Sequence, residues 1–212
     1  MLSPLSRSPS VTLTFSAIAV FAIAIGLGDP AMAAPRVGEP APKFTGTDTD
    51  GNSRSLSDFR GKTVVLEWTN RDCPYVRKHY GTGNMQAIQK QATADGAIWL
   101  TIISSAPGKQ GYASPELADR VASEQGASPT AILLDPDGTI GRAYDARTTP
   151  HMYVIDADGT LVYMGGIDNR PTADWGDVEG AKNHVLAALA DVAAGTPVQT
   201  PTSRPYGCSV KY

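Results

Sequence analysis

KTVVLEWTNRDCPYVRKHY, residues 62–80, sets a cysteine between an apolar run and a proline. Residues 62–68 (KTVVLEW) carry the continuous apolar pattern of a buried strand, and residues 74–94 carry a helical one. Proline suits the first helical position, where its missing N–H would go unpaired in any case, so Cys73 is expected as the N-cap. The unpaired amides and the dipole of a helix start favour a thiolate and lower a cysteine pKa. Arg71, Arg77 and Lys78 add positive charge nearby, and Asp72 offsets part of it. A low-pKa, partly exposed thiol is what disulfide exchange or attack on a peroxide needs. A cysteine in a core would instead read as a small, inert apolar residue.

Outward from this junction the chain alternates strands and helices. Residues 97–103 (AIWLTII) read as a second apolar strand. Ser114-Pro115-Glu116-Leu117 opens a helix with serine as N-cap, proline at the first position and glutamate in the first turn, running to about Gly126. Residues 131–134 and 152–155 are further strands, each ended by Asp-x-Asp-Gly-Thr, at 135–139 and 156–160. Neither turn offers the length and terminal glutamate of an EF-hand loop, and Asp-Gly between β-rich runs predicts a hairpin at both. A last amphipathic helix is expected over roughly 178–194, with His184 on its surface. Trp68 and Trp99 read as core, and residues 168–177 (DNRPTADWGD) as an exposed loop. No long-period repeat interrupts this order, so the class is mixed α/β, with helices covering the sheet, an order that several α/β folds share.

Composition narrows the functions. Lys and Arg number 18 against 21 Asp and Glu, a net charge of −3, so no basic excess exists to track a nucleic acid or an anionic membrane. Two cysteines, Cys73 and Cys208, are too few for a disulfide-dense mini-protein or a four-thiolate zinc site. Residues 11–28 form the only long apolar run, followed by Asp29-Pro30 and then Ala31-Met32-Ala33. An apolar stretch ending in Ala-x-Ala is the pattern of a secretory signal peptide, so residues 1–33 are expected to be removed and the protein exported, to the periplasm or beyond. The rival is a retained anchor, disfavoured because the run is near the minimum spanning length and diluted by Ser, Thr and Gly. No stable membrane insertion is expected after cleavage.

Residues 195–212 form a proline-containing tail that carries Cys208. The stretch of about 13 residues ahead of that cysteine spans some 40 Å if extended at about 3.1 Å per residue, enough to fold back to Cys73. Export would put both thiols in an oxidising compartment, where a Cys73–Cys208 bond is expected to form. Cys208 then reads as a resolving thiol; the other reading is a permanent disulfide that constrains the unfolded chain.

EWTNRDCPYVRKHY (67–80), ARTTPHMYVID (146–156) and RPYGCSVKY (204–212) resemble a bacterial family of redoxins. These are thioredoxin-fold proteins related to the alkyl hydroperoxide reductase/thiol-specific antioxidant (peroxiredoxin) group. VGEPAPKF (37–44) followed by LSDFRGK (56–62) is similar to the opening of many redoxins. The resemblance implies a single α/β, thioredoxin-like domain over residues 34–194, a central mixed β-sheet flanked by helices, with an N-terminal β extension and the C-terminal tail. It implies a thiol-dependent oxidoreductase with Cys73 in the place of the reactive cysteine and no metal or organic cofactor. Its partners would be a protein disulfide or small peroxide as substrate and a thiol electron donor.

Cys73-Pro74-Tyr75-Val76 also reads like a glutaredoxin Cys-Pro-Tyr-Cys whose second thiol is valine. Thr149-Pro150 looks like the threonine and cis-proline that face the reactive cysteine, where loop backbone pairs with an extended substrate. Two family patterns are absent. Asn70 and Val76 leave no Cys-x-x-Cys in either frame, and Leu66 and Asn70 break Pro-x-x-x-Thr-x-x-Cys. Arg147 is only an approximate stand-in for the arginine that peroxiredoxins use, and peroxide reduction needs such donors around both oxygens. His151 is a possible acid or base if the fold turns it toward Cys73. A metal site from Cys73, His79 and His151 lacks the paired thiolates that soft metals favour. The non-enzymatic alternative is a binding module locked by a structural Cys73–Cys208 disulfide.

Overall fold

The computed structural model describes residues 34–212, and the signal expected over 1–33 lies outside the described residues. The N-terminal extension is a hairpin of β1 (Thr45–Asp48) and β2 (Ser53–Ser55). Its turn is held by Asp48, whose Oδ1 accepts from the amides of Asp50 and Asn52 at 3.0 and 2.8 Å. There follow β3 (Val64–Trp68), α1 (Pro74–Gly81), α2 (Asn84–Ala94), β4 (Ile98–Ile103), α3 (Pro115–Gln125) and β5 (Ala131–Leu134). The remainder is α4 (Thr139–Ala143), β6 (Thr148–Thr149), β7 (His151–Ile155), β8 (Leu161–Gly165), α5 (His184–Ala193) and β9 (Cys208–Ser209). The main sheet runs β2-β1-β5-β4-β3-β7-β8. β3, β4 and β5 pair in parallel because a helix lies in each connection, while β7 pairs antiparallel with both β3 and β8.

Side chains alternate across this sheet, so neighbours on a strand enter different cores. Leu66, Trp68, Tyr153 and Ile155 pack with Phe44 and Tyr144 on one face. Val65, Trp99, Met152 and Val154 pack on the other with Cys73 and with residues of α1, α2 and α5. Trp68 and Trp99 are both fully buried.

Three elements differ from the sequence expectation, each for a physical reason. The helix expected over 74–94 is two helices, because Gly83 takes φ 75°, a left-handed conformation that ends one helix and N-caps the next. Gln86 Nε2 donates to the Tyr80 carbonyl beside the break, at 2.9 Å. The turn at 135–139 leads into α4 and not into a hairpin. Asp135 reaches forward to accept from the amides of Ile140 and Gly141, at 3.0 and 2.8 Å, and so holds a helix start that the turn residues alone do not specify. Its twin at 156–160 does make the β7–β8 hairpin. Finally, α5 begins at His184, capped by Asn183 Oδ1 on the Leu186 amide at 2.9 Å, and residues Trp175–Val178 form a separate 3-10 turn. His184 is half-buried beside Tyr163, with ring centroids 6.3 Å apart, rather than a surface group.

Candidate active site

Cys73 ends the loop after β3 as N-cap of α1, with extended backbone (φ −77°, ψ 123°) and Pro74 at the first helical position. Its sulfur has no exposed surface. Sγ lies 3.0 Å from the Thr149 carbonyl, to which the protonated thiol donates. The Cys208 backbone N–H points at the same sulfur from 3.4 Å. This contact joins residues 135 positions apart and is set by β9, which pairs antiparallel with β6 so that Cys208 lies opposite Thr149 and Ser209 opposite Thr148. The Thr149–Pro150 bond is cis. Both cysteines are free thiols.

The two thiols differ in acidity. Burial pushes the Cys73 thiol up, but the Cys208 thiol, the Val76 amide in the first turn of α1 and the Cys208 amide outweigh it and leave Cys73 below the ordinary value. Cys208 is pushed up to about 11, first by burial and then by its hydrogen bond to Cys73 and the charge there. Cys73 is thus the more acidic of the two thiols.

Lys78 plays another part than its sequence position suggests. Lys78 is fully buried and donates to the carbonyls of Arg170 and Thr172 at 2.9 and 3.2 Å. Its Nζ is 4.0 Å from Asp168 Oδ2, so the segment expected as an exposed loop begins with a buried carboxylate. His79 is buried too, with Nε2 3.1 Å from the Tyr206 hydroxyl and Nδ1 2.8 Å from Asn84 Nδ2. The Tyr206 hydroxyl donates to Asp168 Oδ1. Lys78, His79 and Asp168 therefore form a socket for Tyr206, two residues ahead of Cys208. Burial lowers His79 to about 4, so its ring is neutral at physiological pH.

His151 is not brought to Cys73. It shares a sheet face with Tyr153, whose hydroxyl is 3.0 Å from its Nδ1, and it accepts from the Arg147 amide at 3.3 Å. Cys73 packs on the opposite face, so an acid–base contact between them is absent. The cause is period-two alternation: the residue after a site-facing proline turns away. Arg147 pairs with Asp145 at 2.5 Å, its side chain 71% exposed. Among the described residues no group of three His, Cys, Asp or Glu is placed to hold a metal ion.

One residue went unread in the sequence. Glu67 stands in the fully buried β3 and accepts from Tyr80, Trp99, Gln89 and Thr101. The signal was a single carboxylate inside an apolar strand, which implies a buried partner set without naming it.

A thiol at a strand-to-helix junction, facing a cis-proline loop on a central mixed sheet, is the arrangement of a thioredoxin-like fold. Residues 37–164 match the AhpC/TSA family model, and the chain belongs to that family. It is 31% identical over 116 residues to the thiol-disulfide oxidoreductase ResA of Geobacillus kaustophilus, covering 49% of this chain and 66% of ResA. It is 28% identical over 139 residues to the candidate peroxiredoxin Rv2521 of Mycobacterium tuberculosis, covering 59% and 81%. A crystal structure of an uncharacterized conserved protein from Geobacillus kaustophilus superposes with a TM-score of 0.71 at 28% identity, over 84% of this chain and 92% of that one. Among the described residues no helix is long and apolar enough to cross a membrane.

Proposed function

We propose that the protein is an exported thiol–disulfide oxidoreductase in which Cys73 attacks and Cys208 resolves. The observation that carries this is the contact of the buried Cys73 sulfur with the Cys208 amide, which sets two thiols of unlike acidity side by side. The Cys73 thiolate attacks one sulfur of a substrate disulfide. A Cys73–substrate disulfide forms, and the other substrate sulfur leaves as a thiolate. Cys73 no longer carries charge, which removes one cause of the high Cys208 pKa. Cys208 gives up its proton, in net to the departed thiolate, and attacks the Cys73 sulfur. The Cys73–Cys208 disulfide forms, and the first substrate sulfur leaves as a thiolate that takes a proton from water. An external dithiol returns the pair to its reduced form.

Thr149 and Pro150 shape the groove beside Cys73, and His151 has no step. A disulfide is favoured over a small peroxide because Arg147 lies with Asp145 at the surface, leaving a peroxide's oxygens without that donor. The similarity to a thiol-disulfide oxidoreductase points the same way. Export rests on the Ala-x-Ala signal, with residues 34–194 as the domain and 195–212 as its tail.

Turnover of a polypeptide disulfide by wild type, Cys73→Ser and Cys208→Ser tests the reading. Cys73→Ser is expected to lower turnover roughly 100-fold or more, and Cys208→Ser to stop after one turnover with a mixed disulfide visible by mass spectrometry. Turnover that survives Cys73→Ser overturns the reading. A reduction potential below about −300 mV with no turnover identifies instead a permanent lock on a binding module.

A further inference from the structure

Cys73 has no exposed surface, and part of what covers it is the end of its own chain. That end is held chiefly through backbone. The Ser203 amide donates to the Met164 carbonyl at 3.2 Å, the Val210 amide to Arg147 at 3.1 Å, and Cys208 and Ser209 pair with β6. Glycines permit the approach at three places. A Cβ on Gly165 would overlap the backbone of Ser203, one on Gly166 would come within 3.1 Å of the Arg204 carbonyl, and one on Gly207 would collide with the Thr149 carbonyl. Gly207 also takes φ 134°, which favours glycine. Residues Arg204 and Ser209 stay exposed, while Tyr206 is buried in the socket of Lys78, His79 and Asp168. A strand added by backbone pairing, with one side chain seated in a pocket, is how extended peptides are recognised.

The resemblance already implies that an extended substrate pairs at the Thr149-Pro150 loop; we propose that Tyr206-Gly207-Cys208, seated on that β6 edge, is a tethered copy of the substrate, which leaves before a substrate strand enters. The inference rests on the reading of Cys73 as nucleophile. The chain's own fit defines the substrate class. It is an extended segment with its cysteine opposite Thr149 and a glycine before it, because a Cβ there meets the Thr149 carbonyl. Two residues before the cysteine stands a tyrosine, whose hydroxyl meets Asp168 and His79. When the tail returns to bring Cys208 to the mixed disulfide, it takes the same backbone pairs from the product strand and drives its release.

The test uses the full chain and a labelled nonapeptide, RPYGSSVKY, with serine in place of cysteine so that binding is non-covalent. Fluorescence anisotropy reads affinity in wild type, Gly207→Ala and Tyr206→Phe. Both variants loosen the tail and are expected to bind the peptide about tenfold or more tighter than wild type, whose tethered copy competes at high effective concentration. A second peptide, RPYASSVKY, is expected to bind Gly207→Ala about tenfold or more weaker than the first. Hydrogen exchange is expected to show the Cys208 and Ser209 amides losing protection in Gly207→Ala while β3 and β4 keep theirs. Equal peptide affinity for wild type and both variants, or equal affinity for the two peptides, overturns the proposal. Peptide binding that follows the expected order while Cys73→Ser retains turnover sinks the nucleophile reading instead, so the two failures are distinguishable.

Discussion

Glu67 sets the pH behaviour of the core from a single position. Its Oε1 accepts from the Tyr80 hydroxyl at 2.8 Å, and its Oε2 from Trp99 Nε1 at 2.8 Å, Gln89 Nε2 at 3.0 Å and Thr101 Oγ1 at 3.2 Å. Burial pushes the carboxyl up, and these donors only partly pull it back. An acid whose folded pKa lies above its unfolded one contributes stability that is present below the unfolded value and lost as pH rises through the folded one. Glu67→Gln keeps an acceptor oxygen for Trp99, Gln89 and Thr101, turns an amide N–H toward the Tyr80 hydroxyl oxygen, and carries no charge. It is expected to fold, and in urea melts its midpoint should lie above that of wild type at neutral pH. Glu67→Ala leaves the donors unpaired and is expected to cost roughly 2–4 kcal/mol. The buried histidines act in the other direction. Burial lowers His79 and His151 each to about 4, below the ordinary value, so their share of stability is present above about pH 6.5 and lost as pH falls toward 4. That share is about 3 kcal/mol per ring at about 1.4 kcal/mol per pH unit. In the Glu67→Gln background, His151→Gln is expected to make the loss between pH 7 and pH 4 measurably smaller; an unchanged slope counts against a buried neutral ring.

Among the elements, α1 gives the site its chemistry and its neighbours give it shape. Cys73 sits where α1 leaves its first amides unpaired, and Pro74 fixes that start. The break at Gly83 frees α2 to change direction. Gly83→Ala places a Cβ at positive φ and is expected to cost about 1–2 kcal/mol in a denaturant melt. α3 serves as a control, because its Ser114 cap on the Leu117 amide, at 3.3 Å, involves none of the site residues. Ser114→Ala is expected to cost about 1 kcal/mol and leave the rate of Cys73 alkylation unchanged. A changed alkylation rate would show that α3 couples to the thiol. The twin Asp-x-Asp-Gly turns mark the limit of element prediction. Their local chemistry is the same, but only at 135–139 does the aspartate find helical amides to cap.

Across the whole molecule, residues 73 and 208 close a loop of 135 positions that holds every element from α1 to α5. The Cys208 amide lies 3.4 Å from the Cys73 sulfur, so the Cys73–Cys208 bond of the proposed cycle asks for little rearrangement of the backbone. Chain-entropy arguments give a cross-link over so long a loop about 5 kcal/mol of stabilisation. Oxidised wild type is expected to unfold at a clearly higher denaturant concentration than reduced wild type, whereas Cys208→Ser should show no redox dependence. Equal midpoints for the two wild-type forms would mean that the tail is as constrained when unfolded as when docked. By linkage, whatever stability oxidation adds to the fold also lowers the reduction potential of the pair, by about 30 mV per 1.4 kcal/mol.

The α/β class, the buried β3, the cysteine at the start of α1 and the Thr149-Pro150 loop were legible along the chain, because each is written within a few neighbouring residues. Apolar runs, proline at a helix start and Asp-Gly turns act through local backbone preference and periodicity. The face of His151, the inward turn of Lys78, the burial of Asp168 and the partners of Glu67 were not legible. Each depends on groups distant in sequence that meet only when the sheet is assembled, and burial then reverses what a charged or polar side chain does by itself. The tail is the clearest case. Its length and its cysteine showed that a return to Cys73 was within reach. Its path was decided by the tertiary structure, through a socket made of Lys78, His79 and Asp168, and an edge strand at Thr149 that only a glycine at 207 can approach.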